Sequence, residues 1–110
     1  MIKKGGMTLV DSLRQSLARR AREIISDPAC WTQCVAARNQ ENRGVSPRST
    51  EAQNFCGYGA LTRAAEERGL SDRWLIEIFN ALVLTQLIRA NDEGGHEAVL
   101  AFLAQLEKMI

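Results

Sequence analysis

Neither sign of charge is in excess in this chain: 14 Lys and Arg stand against 13 Asp and Glu, a formal net charge of +1. A dedicated nucleic-acid binder normally draws its affinity from a clear surplus of Lys and Arg, so nucleic acid is not an expected partner. The same balance leaves no polybasic membrane signal. No apolar run is suited to crossing a bilayer. The richest stretch, residues 71–90, is interrupted by Arg73, Glu77, Asn80, Gln86 and Arg89, whereas a span wants about 20 predominantly apolar residues. No membrane association is therefore expected. Lys3 and Lys4 are followed by Gly5-Gly6 and then an amphipathic segment, unlike a secretory leader.

Cysteine and histidine are also scarce. Cys30, Cys34 and Cys56 form an odd set without a secretion signal, which reads as free thiols in a reducing, cytoplasmic setting. There is one histidine, His96, and no C-x-x-C pair. Cys30 and Cys34 would share a face if helical, and only with Cys56 and His96 could four ligands assemble, so no metal is expected. Gly57-x-Gly59 lacks the third glycine of a dinucleotide fingerprint, and no phosphate loop is present, so no cofactor is expected. Strand signals, internal repeats and low-complexity tracts are missing as well. The few aromatics (Trp31, Phe55, Tyr58, Trp74, Phe79 and Phe102) are mostly positioned as core residues, with Trp31 and Tyr58 the two that could line a groove.

What remains is helical patterning. Trp74, Leu75, Ile76, Ile78, Phe79, Leu82, Val83, Leu84, Leu87 and Ile88 go most of the way round a helical wheel, which predicts a central apolar helix over about 71–90, capped by Ser71 and buried by its neighbours. An earlier amphipathic helix carries Leu13, Leu17, Ala21 and Ile24 and is capped by Thr8 or Asp11. Its arginines, Arg14, Arg19, Arg20 and Arg22, read as a solvated face. Asp27-Pro28 marks a restart and a short helix or turn over 28–36. Residues 38–50 form one long polar connection, a length that is either functional or loose. Ser49 or Thr50 can open the next helix, which ends at Gly69. Its small stripe (Ala52, Cys56, Ala60, Ala64), thinned by Gly57 and Gly59, is expected to press on the central helix. Gly94-Gly95 breaks the chain before a last helix opened by His96, with Val99, Leu100, Leu103 and Leu106 inward and Phe102 and Met109 beside them. The expected architecture is all-α. It is a compact bundle of four main helices plus one short helix, with residues 1–8 a flexible N-terminus and 9–110 a single domain.

Three chemistries can be placed on this frame. Cys56, His96 and Asn91 or Asp92 are the residue types of a thiol nucleophile, its base and an orienting group, and are the candidate catalytic residues of a thiol-dependent enzyme. Residues 64–71 resemble the turn of a helix-turn-helix regulator. The second helix would then read bases with Ser71, Asp72, Arg73, Ile76 and Glu77, a poor surface for phosphates. The third reading is a binding module, with Trp31, Tyr58 and Arg43 as candidate binding residues beside the 38–50 loop.

Asp27-Pro28, Trp31-Thr32-Gln33, the loop with Gly44, Val45 and Pro47, Cys56-x-x-Gly59-Ala60-Leu61, Asn91-Asp92 and the following histidine together resemble a family of small uncharacterised helical proteins of bacteria and phages. The resemblance runs from about residue 10 to the end. Cys34 stands where that pattern suits a small residue such as Gly, and Gly95 where it suits a capping Thr. The resemblance implies no activity, but it implies that Trp31, Cys56, Asn91, Asp92 and His96 meet in one place. The reading adopted is a small cytoplasmic protein-interaction or accessory module, binding a protein partner or itself. The thiol enzyme and the DNA-binding regulator are its alternatives.

Overall fold

The computed structural model describes residues 8–108. It is an all-α bundle whose five α-helices are α1 (Leu9–Ile24), α2 (Gly57–Glu67), α3 (Asp72–Phe79), α4 (Ala81–Arg89) and α5 (His96–Lys108). A 3-10 turn, Pro28–Cys30, follows α1, and a π-helical turn, Ala90–Gly94, joins α4 to α5. The expected flexible segment 1–8 falls almost wholly outside the described residues, as does Met109.

Several sequence signals act where they stand. Thr8 caps α1 by accepting from Asp11 N–H, and the Asp11 carboxylate reaches back to Thr8 N–H, a reciprocal pair that satisfies two free donors. Leu17, Ala18 and Ala21 face the core, with Leu13 and Ile24 packed beside them. Asp27 caps the 3-10 turn with Pro28 at its first position. Gly69, at φ 72°, ends α2 in the left-handed region. The arginines of α1 do more than cover a solvated face. Arg20 pairs with Glu67 of α2, Arg22 with Glu107 of α5, and Arg14 donates to Ile78 O at the end of α3. α1 is thereby tied to three neighbours, and α2 and α5 are its main packing partners.

Three expectations are corrected. The 71–90 segment is two helices, broken at Asn80. There φ is 63° and ψ 161°, a strained backbone conformation otherwise left to glycine, and the side chain accepts from Val83 N–H to cap α4. The break turns Leu75, Ile78 and Phe79 on one side and Leu84 and Leu87 on the other into the same core. It leaves Trp74, Ile76, Leu82 and Ile88 outside, where a single helix had been expected to be covered all round. Second, α2 begins at Gly57 and not near Ser49. Residues 46–52 are turns, and Cys56 is the N-cap. Third, the structure contains strand pairing that the sequence did not announce. β1 (Ala37–Arg38) and β2 (Asn54–Phe55) pair antiparallel, Ala37 against Phe55 and Arg38 against Asn54. Two residues per strand are too few to show alternation.

The glycines of α2 have packing reasons. A Cβ on Gly59 would lie 1.9 Å from Ala36 O, and one on Gly57 would lie 2.5 Å from Val99 Cγ2. So α2 starts where its backbone touches the β1 side of the molecule, and its small stripe serves α1 more than the α3–α4 segment. The polar connection 38–50 is held down rather than loose. Buried Asn39 accepts from Glu41 and Arg43 N–H at 3.0 and 2.9 Å, and Arg48 reaches Asp72, Glu66 and Leu70 O. Arg63 donates to Pro47 O and Ser49 O.

Candidate functional site

Asn91 is fully buried in the π-helical turn, and an amide there must find partners for all its polar atoms. It does. Its Oδ1 accepts from Trp31 Nε1 at 2.7 Å and from Gly57 N–H at 2.9 Å, and its Nδ2 donates to Thr32 O at 3.1 Å and to Asp92 Oδ1 at 2.9 Å. The neighbours continue the pattern. Gln33 Nε2 donates to the carbonyls of Asn91 and Asp92, and Cys34 N–H donates to Asp92 Oδ1 at 3.0 Å. Residues 31–34 thus dock one after another on residues 91–92. The Trp-Thr-Gln and Asn-Asp pieces are the two halves of one latch.

His96 sits at the edge of this latch. Its ring lies 5.1 Å from the Trp31 ring, tilted by 48°, and its Nε2 is 2.6 Å from Ile25 O at the end of α1. With the proton on Nε2, the imidazole donates to that carbonyl and ties the start of α5 to the end of α1. Gly95, immediately before it, is at φ 92°, a conformation a threonine would resist, so a glycine stands at that position for backbone reasons.

Cys56 is buried, and its sulfur accepts from Gly59 N–H at 3.3 Å in the first turn of α2. Burial pushes its thiol above the ordinary cysteine range, with the Asp92 carboxylate adding to the effect, while hydrogen bonds from Gly59 and Tyr58 pull the other way. The thiolate is disfavoured, the reverse of an activated nucleophile. Cys56 faces a cleft of about 240 Å³ that is also lined by Cys34, Tyr58, Ile88 and Asp92. Ligand pockets run from about 300 to 1,000 Å³, so this space suits a side chain or a group of a few atoms. His96 is not among the residues lining it.

Of the sequence candidates, Trp31, Asn91, Asp92 and His96 come together, and Cys56 joins them through the backbone of Gly57 and the shared cleft. Trp31 is spent on the latch and the core. Tyr58 is half-buried on the cleft wall, and Arg43 is exposed at the tip of the 38–50 loop, with its backbone held by Asn39. Two contributors were not singled out for this site. Gln33 had no signal beyond its place after Trp-Thr. Cys34 did have one: a residue suited to glycine, and the structure holds it at φ 73°. Among the described residues no group of three or more His, Cys, Asp or Glu side chains could hold a metal ion, and no helix is long and apolar enough to cross a membrane. Comparison with protein-family models, with curated proteins and with solved structures finds no match for this chain.

Proposed function

We propose that this chain is a protein-interaction module whose binding surface is the outer face of α3. The observation that carries the reading is the exposure of Trp74, 52 %, on a helix whose other face, Leu75, Ile78 and Phe79, is core. Single exposed apolar residues are ordinary, but a half-exposed tryptophan is a residue type that anchors interfaces. Covering the open half of an indole contributes on the order of 2 kcal/mol. Arg73 and Glu77 flank Trp74 around a shallow depression, so the patch carries both charge signs about an apolar centre. Such a patch is complementary to itself, and the simplest partner it fits is a second copy of the chain.

This reading shifts the binding role from Trp31 and the 38–50 loop, where Trp31, Arg38, Asn39 and Arg48 are already engaged within the molecule, to α3. A thiol enzyme finds less support. The Cys56 thiol is held protonated by burial, and the His96 Nε2 is occupied by Ile25 O. Sedimentation equilibrium from about 1 µM to about 1 mM covers the affinities expected of a modest interface. The expected result is a mass that rises with concentration in the wild type and stays monomeric in Trp74→Arg, with the Trp74→Arg protein melting normally. A wild-type mass that stays monomeric throughout sinks the self-association reading.

A further inference from the structure

Cys34 and Cys56 are far apart in sequence, yet both line the cleft described above, while the third cysteine, Cys30, does not. Cys56 N–H also donates to Ala36 O at 3.1 Å, so the chain two residues beyond Cys34 already lies against Cys56, and a movement of the 32–36 loop is what would bring the pair to the ~4.4–6.8 Å Cα spacing that a disulfide spans. The two cysteines also differ in the way a reactive pair should. Cys34 is exposed and Cys56 is buried.

That movement gives up the hydrogen bond from Cys34 N–H to Asp92 and leaves the ends of the loop in place. Residues 32–36 form a loop pinned at both ends to Phe55, through Thr32 N–H on Phe55 O and the pairing of Ala37 with Phe55. Between those pins the chain is bends only, and Cys34 sits there at φ 73°, a conformation its side chain resists. Its N–H is held by the Asp92 carboxylate, which itself lies on the cleft wall. Cys56, by contrast, is fixed as the cap of α2, with its sulfur oriented by Gly59 N–H.

We propose that Cys34 and Cys56 form an oxidisable dithiol site whose co-substrate is a hydroperoxide, and whose oxidised form is a disulfide stapling the 32–36 loop to the start of α2. In the first step the Cys34 thiolate attacks the peroxide. An S–O bond forms, the O–O bond breaks, and the departing oxygen leaves as water or an alcohol after taking a proton. The Cys34 sulfur is oxidised by two electrons to a sulfenic acid and the peroxide is reduced. In the second step the Cys56 sulfur attacks the Cys34 sulfur. The S–S bond forms, the S–O bond breaks, and the hydroxyl leaves as water with the proton from Cys56. The protonated resting state of Cys56 fits its role as the second, resolving thiol.

The three cysteines supply an internal control. Cys30 and Cys34 close a far shorter loop than Cys34 and Cys56, so chain proximity alone favours the 30–34 pair. Dilute monomeric protein is treated with hydrogen peroxide, alkylated under denaturing conditions, and mapped by mass spectrometry without reduction. The expected product is a chain lighter by about two hydrogens, with Cys34 linked to Cys56, Cys30 alkylated, and full reversal by dithiothreitol. Cys56→Ser should instead leave Cys34 as a sulfenic acid trappable by dimedone, and Cys34→Ser should leave Cys56 a free thiol under the same exposure. A Cys30–Cys34 link, a disulfide between two chains, or over-oxidation of Cys34 with Cys56 still free would each overturn the proposal.

Discussion

Trp31 and Asn91 lie sixty residues apart in the chain, and the indole N–H of one donates to the amide oxygen of the other at 2.7 Å. That bond closes the 28–36 region over the turn that starts α5. It also explains the residue types on each side. Only a donor with a large apolar body can fill Trp31's place, and only an amide can accept from Trp31 and Gly57 while donating to Thr32 O.

Asn91→Ala is expected to be among the most destabilising single changes. It leaves the Trp31 and Gly57 N–H groups and Thr32 O without their partner, and each orphaned buried group costs about 1–3 kcal/mol. The effects overlap, so a total loss of about 3–5 kcal/mol is expected, a large part of a small domain's stability. Trp31→Phe removes one donor and some packing and should cost about 1–2 kcal/mol. Urea titrations of both variants and of the double variant test the coupling. Strict additivity would mean that the bond is not made in solution.

Gly59→Ala and Gly57→Ala should differ sharply. At Gly59 the added methyl meets the backbone carbonyl of Ala36, which cannot turn aside without disturbing the β1–β2 pairing. At Gly57 it meets the side chains of Val99 and Leu87, which can shift. Overpacking of the second kind typically costs about 1–3 kcal/mol, and Gly59→Ala should exceed it. Thermal melts that rank Gly57→Ala as the worse variant would contradict the close approach at Gly59.

Cys56 has a pH signature. Its thiol is raised in the folded state by burial, so above the ordinary cysteine pKa the unfolded chain loses a proton that the folded chain keeps. Deprotonation then favours unfolding, and stability should be intact below about pH 8.5 and decline as pH rises beyond it. Cys56→Ala should flatten that alkaline decline while keeping the acid side. Iodoacetamide at mild pH should label exposed Cys34 first and Cys56 last, and rapid labelling of Cys56 in the native protein would refute its burial.

On the acid side, Glu107 is the group to watch. The Arg22 guanidinium holds its carboxyl below the usual range, with Arg19 and Lys108 adding to the effect. A depressed carboxylate contributes stability above its unfolded pKa, and that contribution is lost as pH falls through the folded one. Arg22 is partly exposed, so Glu107→Gln should cost only about 1 kcal/mol at neutral pH. The same variant should show a shallower loss of stability below about pH 4.5 than the wild type. Equal acid limbs in the two proteins would show that the α1–α5 pair contributes nothing.

Much of the helical frame was legible because its signals are local. The Thr8 and Asp11 cap, the Asp27-Pro28 restart, Gly69 and the opening of α5 at His96 each depend on residues within a turn of one another, and the structure uses each of them. The all-α character followed from apolar spacing in the same way. The break at Asn80 was hidden because its cause is the shape of the core. Continuous apolar patterning is satisfied as well by two short helices as by one, and only packing chose a bend that buries Leu75 and Leu87 and leaves Trp74 and Leu82 outside. The candidate site divides along the same line. The sequence by itself determined which residue types were on hand: a tryptophan with a donor, an amide, a carboxylate, a histidine and three thiols. The tertiary structure alone decided that Trp31 and Asn91 form a latch, that His96 bonds to Ile25 O, and that Cys34 shares a cleft with Cys56. These pairings span long stretches of chain, and no local spacing encodes a contact whose closure depends on how five helices pack.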